Sequence, residues 1–175
     1  MHETTRRLLF LLLFAIVFFQ TGAHVSQAFV NYPAWQYIGS ESFTDYHRVM
    51  TSGALRVLLL PRIIELALAM LVLCFPPRII KRWLLVLAIA FALCAFLSTV
   101  LIQLPIHRQL GTVGNTPELL TQLRTTDWVR QIAELVRAAL YFWMIGATLV
   151  ESSTGARYYS AGRPRSPRWE LVRPR

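Results

Sequence analysis

The chain has 175 residues, of which 55% are hydrophobic and 15% are charged, and its formal net charge is +9. A soluble domain carries about 25% charged residues, so this composition excludes an ordinary soluble domain, and its many large apolar residues exclude a disordered chain. Both cysteines lie inside apolar runs, which excludes a secreted fold held together by disulfides.

Four apolar stretches are long enough to cross a hydrocarbon core of about 30 Å, which takes about 20 helical residues. They cover about residues 8–30, 54–75, 83–104 and 128–150. Their apolar residues are continuous rather than alternating, which favours helices over the strands of a membrane barrel. We therefore predict an all-α, integral membrane four-helix bundle over residues 1–153, followed by a basic, flexible tail over residues 154–175.

Two long connections are predicted between these spans, over residues 31–53 and 105–127. The run Asn31-Tyr32-Pro33 predicts the end of span one, because proline removes a backbone donor. A short interfacial helix is expected over residues 42–50. The first connection is rich in aromatic residues, which are typical of a belt at the lipid headgroups or of a lid over a flat ligand.

Basic residues predict the orientation of the spans. They cluster before span one, in the turn between spans two and three, and in the tail, whereas the two long connections hold few. The positive-inside rule then places both termini in the cytoplasm, with the chain in the cell inner membrane. The alternative is a signal peptide over residues 1–28, cleaved after Ser26-Gln27-Ala28, which would leave three spans.

Polar residues inside the spans recur at helical spacing, which places them on inward faces of the bundle. They are Gln20, His24, Gln27 and Asn31 on span one, Arg62 and Glu65 on span two, Thr99, Gln103 and His107 on span three, and Asp127, Arg130, Glu134, Arg137 and Tyr141 on span four. The cytoplasmic halves of the spans are almost purely apolar. The sequence therefore predicts a polar interior in the outward half of the bundle and a dry inner half.

Four charged residues are predicted to meet near the middle of the membrane. At about 1.5 Å per residue from the outer ends of their spans, Arg62 and Glu65 lie about 12 and 17 Å deep. Glu134 and Arg137 lie about 9 and 13 Å deep by the same measure. An isolated ion there is costly, so mutual pairing is expected. Two interpretations stay open: a ligand pocket, or polar groups that only hold the helices together.

Two kinds of chemistry are compatible with the histidines. His24, His47 and His107 are candidate metal ligands by residue type, with a carboxylate such as Glu134, although their spacing matches no ligand motif. A bis-histidine haem would need His24 and His107 at equal depth, and His107 lies just past the end of its span. Alternatively, His24 is a general base for a phenol or enol, and Arg62 or Arg137 holds the oxyanion. No cofactor is assigned.

The second half of the chain resembles a known family. The run LPIHRQL, followed after a gap by LLTQLRTTDWVRQIAELVRAALYFW, is similar to the anthrone oxygenase-like family of small four-span membrane proteins. Matching positions are Pro105, Ile106, Trp128 and Arg137, with looser matches at Gly22 and Tyr32-Pro33. His107 stands where that family usually has Asn, and Glu134 where it often has His. The resemblance implies a four-helix membrane fold and an oxygenase acting on a fused-ring phenol.

These features predict a membrane oxidoreductase or oxygenase-like protein that binds an apolar aromatic or quinone-like molecule in the outward half of the bundle. The predicted catalytic residues are His24, Glu134 and Arg137, and the predicted substrate-binding residues are Arg62, Glu65, Tyr32, Gln103 and Trp128. The alternative is a non-catalytic membrane subunit or assembly partner. Expected partners are the lipid bilayer, a hydrophobic small molecule, and a homo-oligomer or larger membrane complex; nucleic acid is not expected, because no basic patch remains beyond the residues that set topology.

Overall fold

The computed structural model describes residues 1–161, and the side chains of all of these except Leu55 and residues 151–161. The described residues are helical without any strand, which confirms the all-α class. The four long helices are α1 (Glu3–Tyr37), α2 (Ser40–Cys74), α3 (Arg82–Val113) and α4 (Pro117–Ala161). Each is long and apolar enough to cross a membrane, α4 over Pro117–Val150.

The helices are longer than the predicted spans, because they also cover most of residues 31–53 and 105–127, where the sequence predicted two long connections. Only residues 38–39 separate α1 from α2, and residues 114–116 separate α3 from α4. Gly114 makes the second turn with φ of 96°, a backbone region that favours glycine. α4 then begins at Pro117, because proline suits the first turn of a helix and the Thr116 hydroxyl accepts the Leu119 N–H at 3.4 Å.

Three prolines lie inside α1, α2 and α3 without ending them, so α1 continues as a helix past Asn31-Tyr32-Pro33, where the sequence predicted the end of span one. Each proline follows a five-residue π-helical segment in the same register: Gln27–Asn31 before Pro33, Leu55–Leu59 before Pro61, and Thr99–Gln103 before Pro105. Proline lacks an amide hydrogen and its ring crowds the carbonyl four residues earlier. Widening the preceding turn relieves that conflict, and the helix continues.

The four helices form a square in which each packs on its two neighbours. α1 and α3 both pack against α2 and against α4, and the contact between α3 and α4 is the most extensive. α3 buries the small residues Ala88, Ala92, Ala95 and Ser98 in one stripe. Small side chains let helix backbones approach closely, as is usual between helices in membranes.

The interior has three layers along the bundle axis. At the end that holds the N-terminus lies an apolar core, which confirms the dry half, and its members include Phe10, Leu13, Val17, Val72, Leu85 and Met144. At the far end, beside the connections at Gly39 and Gly114, lies a second cluster: Tyr32, Trp35, Phe43, Ile106, Leu110, Leu120 and Leu123. Buried polar residues fill the layer between them. The polar interior is therefore confined to the middle layer, and at the far end it gives way to packed aromatic and aliphatic side chains.

The outer surface of the bundle is apolar, whereas buried side chains at mid-height are polar or charged. That inversion is typical of helices surrounded by lipid, where polar groups must find partners inside the protein. α4 continues to Ala161, so residues 154–161 of the predicted tail are helical. The rest of that tail, residues 162–175, lies outside the described residues.

Candidate functional site

Four buried side chains of α2 and α4 form a closed ring, here called the charge ring: Arg62, Glu65, Glu134 and Arg137. Arg62 Nη1 donates to Glu65 Oε2 at 2.9 Å, and Arg62 Nη2 donates to Glu134 Oε1. Arg137 donates to the other oxygen of each carboxylate. Every member is at most 4% exposed. The predicted pairing is confirmed, and each of the four carboxylate oxygens receives one arginine.

The sequence encodes this ring through the order of the charges. On α2 the order is Arg62 then Glu65, and on α4 it is Glu134 then Arg137, each pair being three residues apart and therefore on one helix face. α2 and α4 both start at the far end of the bundle and run the same way. Opposite order on parallel helices places each arginine across from a glutamate, so the ring carries no net charge.

His24 lies at the edge of the charge ring. Its Nε2 is 3.9 Å from Glu134 Oε1, and its backbone carbonyl accepts a hydrogen bond from Gln131 at 3.1 Å. One turn earlier on α1, Gln20 donates to the Leu58 carbonyl in the π segment of α2 at 2.8 Å. These bonds hold the backbone of α1 against α4 and α2 at the level of His24.

A second polar cluster, here called the histidine chain, joins all four helices at the far end of the polar layer. Arg130 donates to the Tyr32 hydroxyl at 3.2 Å, which lies 3.3 Å from His107 Nε2. His107 Nδ1 is 3.1 Å from His47 Nε2, and His47 Nδ1 is 3.5 Å from the Thr51 hydroxyl. Trp35 packs its ring edge-on against both imidazoles. The histidine chain therefore extends from Arg130 on α4 to Thr51 on α2.

The direction of the hydrogen bonds in the histidine chain is determined by Arg130, which lies at one end of it. Arginine can only donate, so the buried Tyr32 O–H needs another acceptor. His107 Nε2 lies in reach of it, as does the Gln27 side chain, whose Oε1 already accepts from Asn31; we therefore assign the acceptor role to His107. His107 then donates through Nδ1 to His47 Nε2, and His47 donates through Nδ1 to Thr51. The Thr51 hydroxyl donates onward to the His47 carbonyl at 2.7 Å. Both histidines are neutral in this arrangement, and the donors of Tyr32, His107 and His47 all point away from Arg130.

A cavity of about 410 Å³ lies between the charge ring and the histidine chain. α2 and α3 pack together on both sides of it, through Ser40–Ala54 against Leu104–Val113 and through Leu60–Cys74 against Arg82–Ser98. All three π segments contribute lining residues, for example Gln27, Leu58 and Gln103. The volume falls within the range of about 300–1,000 Å³ that is typical of small-molecule sites.

Several side chains that line the cavity have a buried polar atom without a hydrogen-bond partner among the described residues. These atoms are His24 Nδ1, Trp35 Nε1, Gln103 Oε1 and Arg130 Nε. A buried polar group is normally paired, because leaving it unpaired costs about 1–3 kcal/mol. These atoms are themselves buried behind other atoms of the lining, so a ligand in the cavity reaches them only if neighbouring side chains move.

The structure brings some of the predicted site residues to the cavity and leaves others away from it. His24, Arg62, Tyr32 and Gln103 line it. Glu65, Glu134 and Arg137 lie behind Arg62 in the charge ring. Trp128 is 53% exposed and packs edge-on against Phe29, with ring centroids 6.0 Å apart, outside the cavity. Asp127 and Arg130 occupy the inward face of α4 at that level, which turns Trp128 outward.

The three candidate metal-ligating histidines do not come together. His47 and His107 face each other, but His24 lies beside the charge ring, with its Nε2 3.9 Å from Glu134 Oε1. Within residues 1–161 no group of three or more His, Cys, Asp or Glu side chains has the proximity that holding a metal ion requires. The facing nitrogens of His47 and His107 offer two ligands at most.

Three contributors to the site had no role assigned from the sequence. Arg130 belonged to the polar stripe of span four, yet it begins the histidine chain and lines the cavity. Thr51 lies one helical turn after His47, and that spacing could have revealed it. Trp35 was attributed to a belt or lid, and it is buried against the histidines instead.

No protein-family model matches this chain, and neither a curated protein nor a solved structure is significantly similar to it. Its function has to be inferred from its own residues.

Proposed function

We propose that this chain is a multi-pass protein of the cell inner membrane, with both termini in the cytoplasm, that binds an apolar aromatic or quinone-like molecule in the cavity between α2 and α3. Its activity is oxygenase- or oxidoreductase-like, in line with the resemblance to the anthrone oxygenase-like family. The observation that carries the proposal is the cavity itself, which combines apolar walls with converging polar side chains from all four helices.

The cavity suits a flat ring that carries oxygen atoms. Leu58, Phe96 and Leu104 supply apolar surface, and Trp35 supplies an aromatic one. His24, Arg62 and Arg130 supply hydrogen-bond donors for a carbonyl or a phenolic oxygen. Such a mixture of an apolar wall and a few placed polar groups is typical of sites that orient small apolar ligands.

His24 is the proposed general base. It lines the cavity, its Nδ1 has no partner among the described residues, and its Nε2 lies 3.9 Å from the Glu134 carboxylate. A phenolic O–H can transfer its proton to the imidazole, and the guanidinium of Arg62 or Arg130 then faces the oxyanion. The phenolate is the electron-rich form of the ring on which an oxygenase-like reaction would act.

The other three members of the charge ring act through Arg62 and His24. Glu134 and Glu65 hold the Arg62 guanidinium from two sides, and Arg137 holds both carboxylates in turn. We therefore assign Glu65, Glu134 and Arg137 positioning roles rather than contact with the ligand. Glu134 also lies close enough to His24 to stabilise an imidazolium ion after proton transfer.

The test is identification, by mass spectrometry, of small molecules that co-purify with the detergent-solubilised protein. Ala54→Trp places a large ring at a lining position of α2 and should lower the bound amount of any cavity ligand at least about tenfold, as overfilling a site does. Ala67→Trp is the matched control on the same helix, at an exposed position outside the cavity. Equal retention by both variants would show that the molecule binds elsewhere.

A second candidate function is that of a non-catalytic subunit or assembly partner. The observation that favours it is the closure of the charge ring, in which both carboxylates are fully paired and need no ligand. This function predicts that no small molecule is enriched over the Ala54→Trp variant and that a membrane protein co-purifies in fixed stoichiometry. Mass spectrometry of the same preparations distinguishes the two functions.

A further inference from the structure

The cavity opens sideways, between α2 and α3. Three of its lining residues are also exposed on the outer surface of the bundle: Leu59 (37%), Ile63 (54%) and Val100 (39%). Leu59 and Ile63 lie on α2 and Val100 on α3, so these three residues mark the rim of the opening. All are apolar, and they belong to the helical segments that are apolar enough to cross a membrane. An opening at this place meets acyl chains and not water.

Part of the cavity lining is polar and buried, and it is here called the polar wall. His24, Arg62 and Gln103 are each at most 5% exposed and line the cavity. Arg62 and Ile63 are neighbours on α2, so one step along the helix changes the lining from buried and charged to exposed and apolar. A molecule that fills the cavity therefore has its polar part inside the bundle and its apolar part toward the rim.

The buried charges around the cavity balance one another. Among the described residues the buried arginines are Arg62, Arg130 and Arg137, and the buried carboxylates are Glu65, Asp127 and Glu134. Arg130 pairs with Asp127, and the other four form the charge ring. A phosphate headgroup would therefore add an uncompensated buried charge. A neutral carbonyl or phenol leaves that balance of buried charge unchanged.

From the rim, the polar wall and the charge balance, we infer that the ligand enters laterally from the bilayer and is a neutral ring compound with a long apolar tail, such as an isoprenoid quinone or phenol. Its oxygen-bearing ring lies against the buried wall, and its tail leaves between α2 and α3 past the rim. This inference rests on the proposed function and adds the route of entry, the charge of the head and the need for a tail.

The test uses a naphthoquinone whose short isoprenoid tail carries a terminal diazirine, with the full-length protein in phosphatidylcholine nanodiscs. After photolysis, mass spectrometry of the peptides locates the labelled residues. We expect labels at the rim residues, and we expect a long-tailed naphthoquinone to compete at a concentration at least about tenfold lower than 1,4-naphthoquinone without a tail, because the tail concentrates it in the bilayer. An excess of the anionic lipid phosphatidylglycerol should not compete.

The outcomes separate this inference from the proposed function. If tail-less naphthoquinone competes as well as the long-tailed one, the cavity binds a quinone but the tail and the lateral route are wrong. If phosphatidylglycerol competes, the neutral head is wrong. If no quinone competes and labels spread evenly over lipid-facing residues such as Val86, both the inference and the proposed function fail.

A pair of variants tests the rim directly. Val100→Trp narrows the opening, and Val86→Trp makes the same change on the same helix at an exposed position outside the cavity. Labelling of α2 rim peptides should fall at least about threefold in the first variant, since overfilled apolar sites lose their occupant, and stay unchanged in the second. Equal labelling in both variants would overturn the lateral route, provided that both retain the wild-type melting temperature.

Discussion

The charge ring predicts a large and non-additive response to substitution. Glu65→Gln leaves Arg62, Glu134 and Arg137 with an excess positive charge, in a ring whose members are each at most 4% exposed. Arg137→Met leaves an excess negative charge instead. Removing one partner from a buried ion pair costs about 3–5 kcal/mol. For a chain of this size each kcal/mol lowers the melting temperature by about 2–4 °C, so each single variant should melt about 6–20 °C below wild type.

The double variant Glu65→Gln/Arg137→Met restores neutrality. Arg62 and Glu134 remain as a direct pair, and no uncompensated charge is left. The double variant should therefore melt at or above the higher of the two single variants, which corresponds to a coupling free energy of about 3–5 kcal/mol or more between the two positions. Thermal unfolding of detergent-purified protein, followed by far-UV circular dichroism, measures all four proteins of the cycle.

An exposed ion pair provides the matched control. Arg48 donates to Asp45 at 2.8 Å with the same three-residue spacing, but its side chain is 77% exposed and that of Asp45 is 78% exposed. Asp45→Asn and Arg48→Met should each change stability by less than about 1 kcal/mol. If the losses in the two ring variants simply add in the double variant, the four residues do not act as one unit, and the ring as described is refuted.

Three further predictions concern the histidine chain, the turn between α1 and α2, and the orientation in the membrane. In ¹⁵N NMR spectra of the side chains, His47 and His107 should both carry their hydrogen on Nδ1, and an Nε2–H signal from either would contradict the bond directions of the histidine chain. Asn115 donates to the carbonyls of Trp35 at 2.9 Å and Ile38 at 2.8 Å, so Asn115→Ala should cost about 1–3 kcal/mol in thermal unfolding, whereas Asn31→Ala, which breaks one bond within α1, should cost less. A reporter fused after Arg175 should be active only in the form that works in the cytoplasm; activity of a periplasmic reporter would reverse the proposed orientation.

The parts of the fold that could be predicted depend on continuous or periodic patterns. The apolar runs indicated four helices, and the spacing of polar residues indicated which faces turn inward. The pairing of Arg62 and Glu65 with Glu134 and Arg137 followed from depth alone, because a charge in an apolar layer must find its opposite at the same level. Those inferences need no knowledge of how the helices are tilted or spaced.

The helix ends and the cavity could not be predicted in this way. Pro33 reads as a stop signal, and only the widened turn at Gln27–Asn31 allows α1 to continue to Tyr37. The cavity depends on how far α2 and α3 stand apart at one level, which is a property of packing. The burial of aromatic residues could not be predicted either, because Trp35 is buried whereas Tyr37, two positions later, is 84% exposed.

The charge balance also limits the chemistry that the cavity can support. Three buried arginines and three buried carboxylates leave the polar layer neutral within the described residues. Proton transfer from a bound phenol to His24 creates one positive and one negative charge inside the polar layer, so the net charge of the layer does not change. The Glu134 carboxylate lies near the new imidazolium, and the Arg62 guanidinium lines the cavity that holds the phenolate. Uptake of a preformed anion would change the total and would pay the full cost of desolvation. Such a site favours a neutral ligand that becomes charged only after it is enclosed. The charge ring and the cavity therefore act together, because Arg62 belongs to the ring and also lines the cavity.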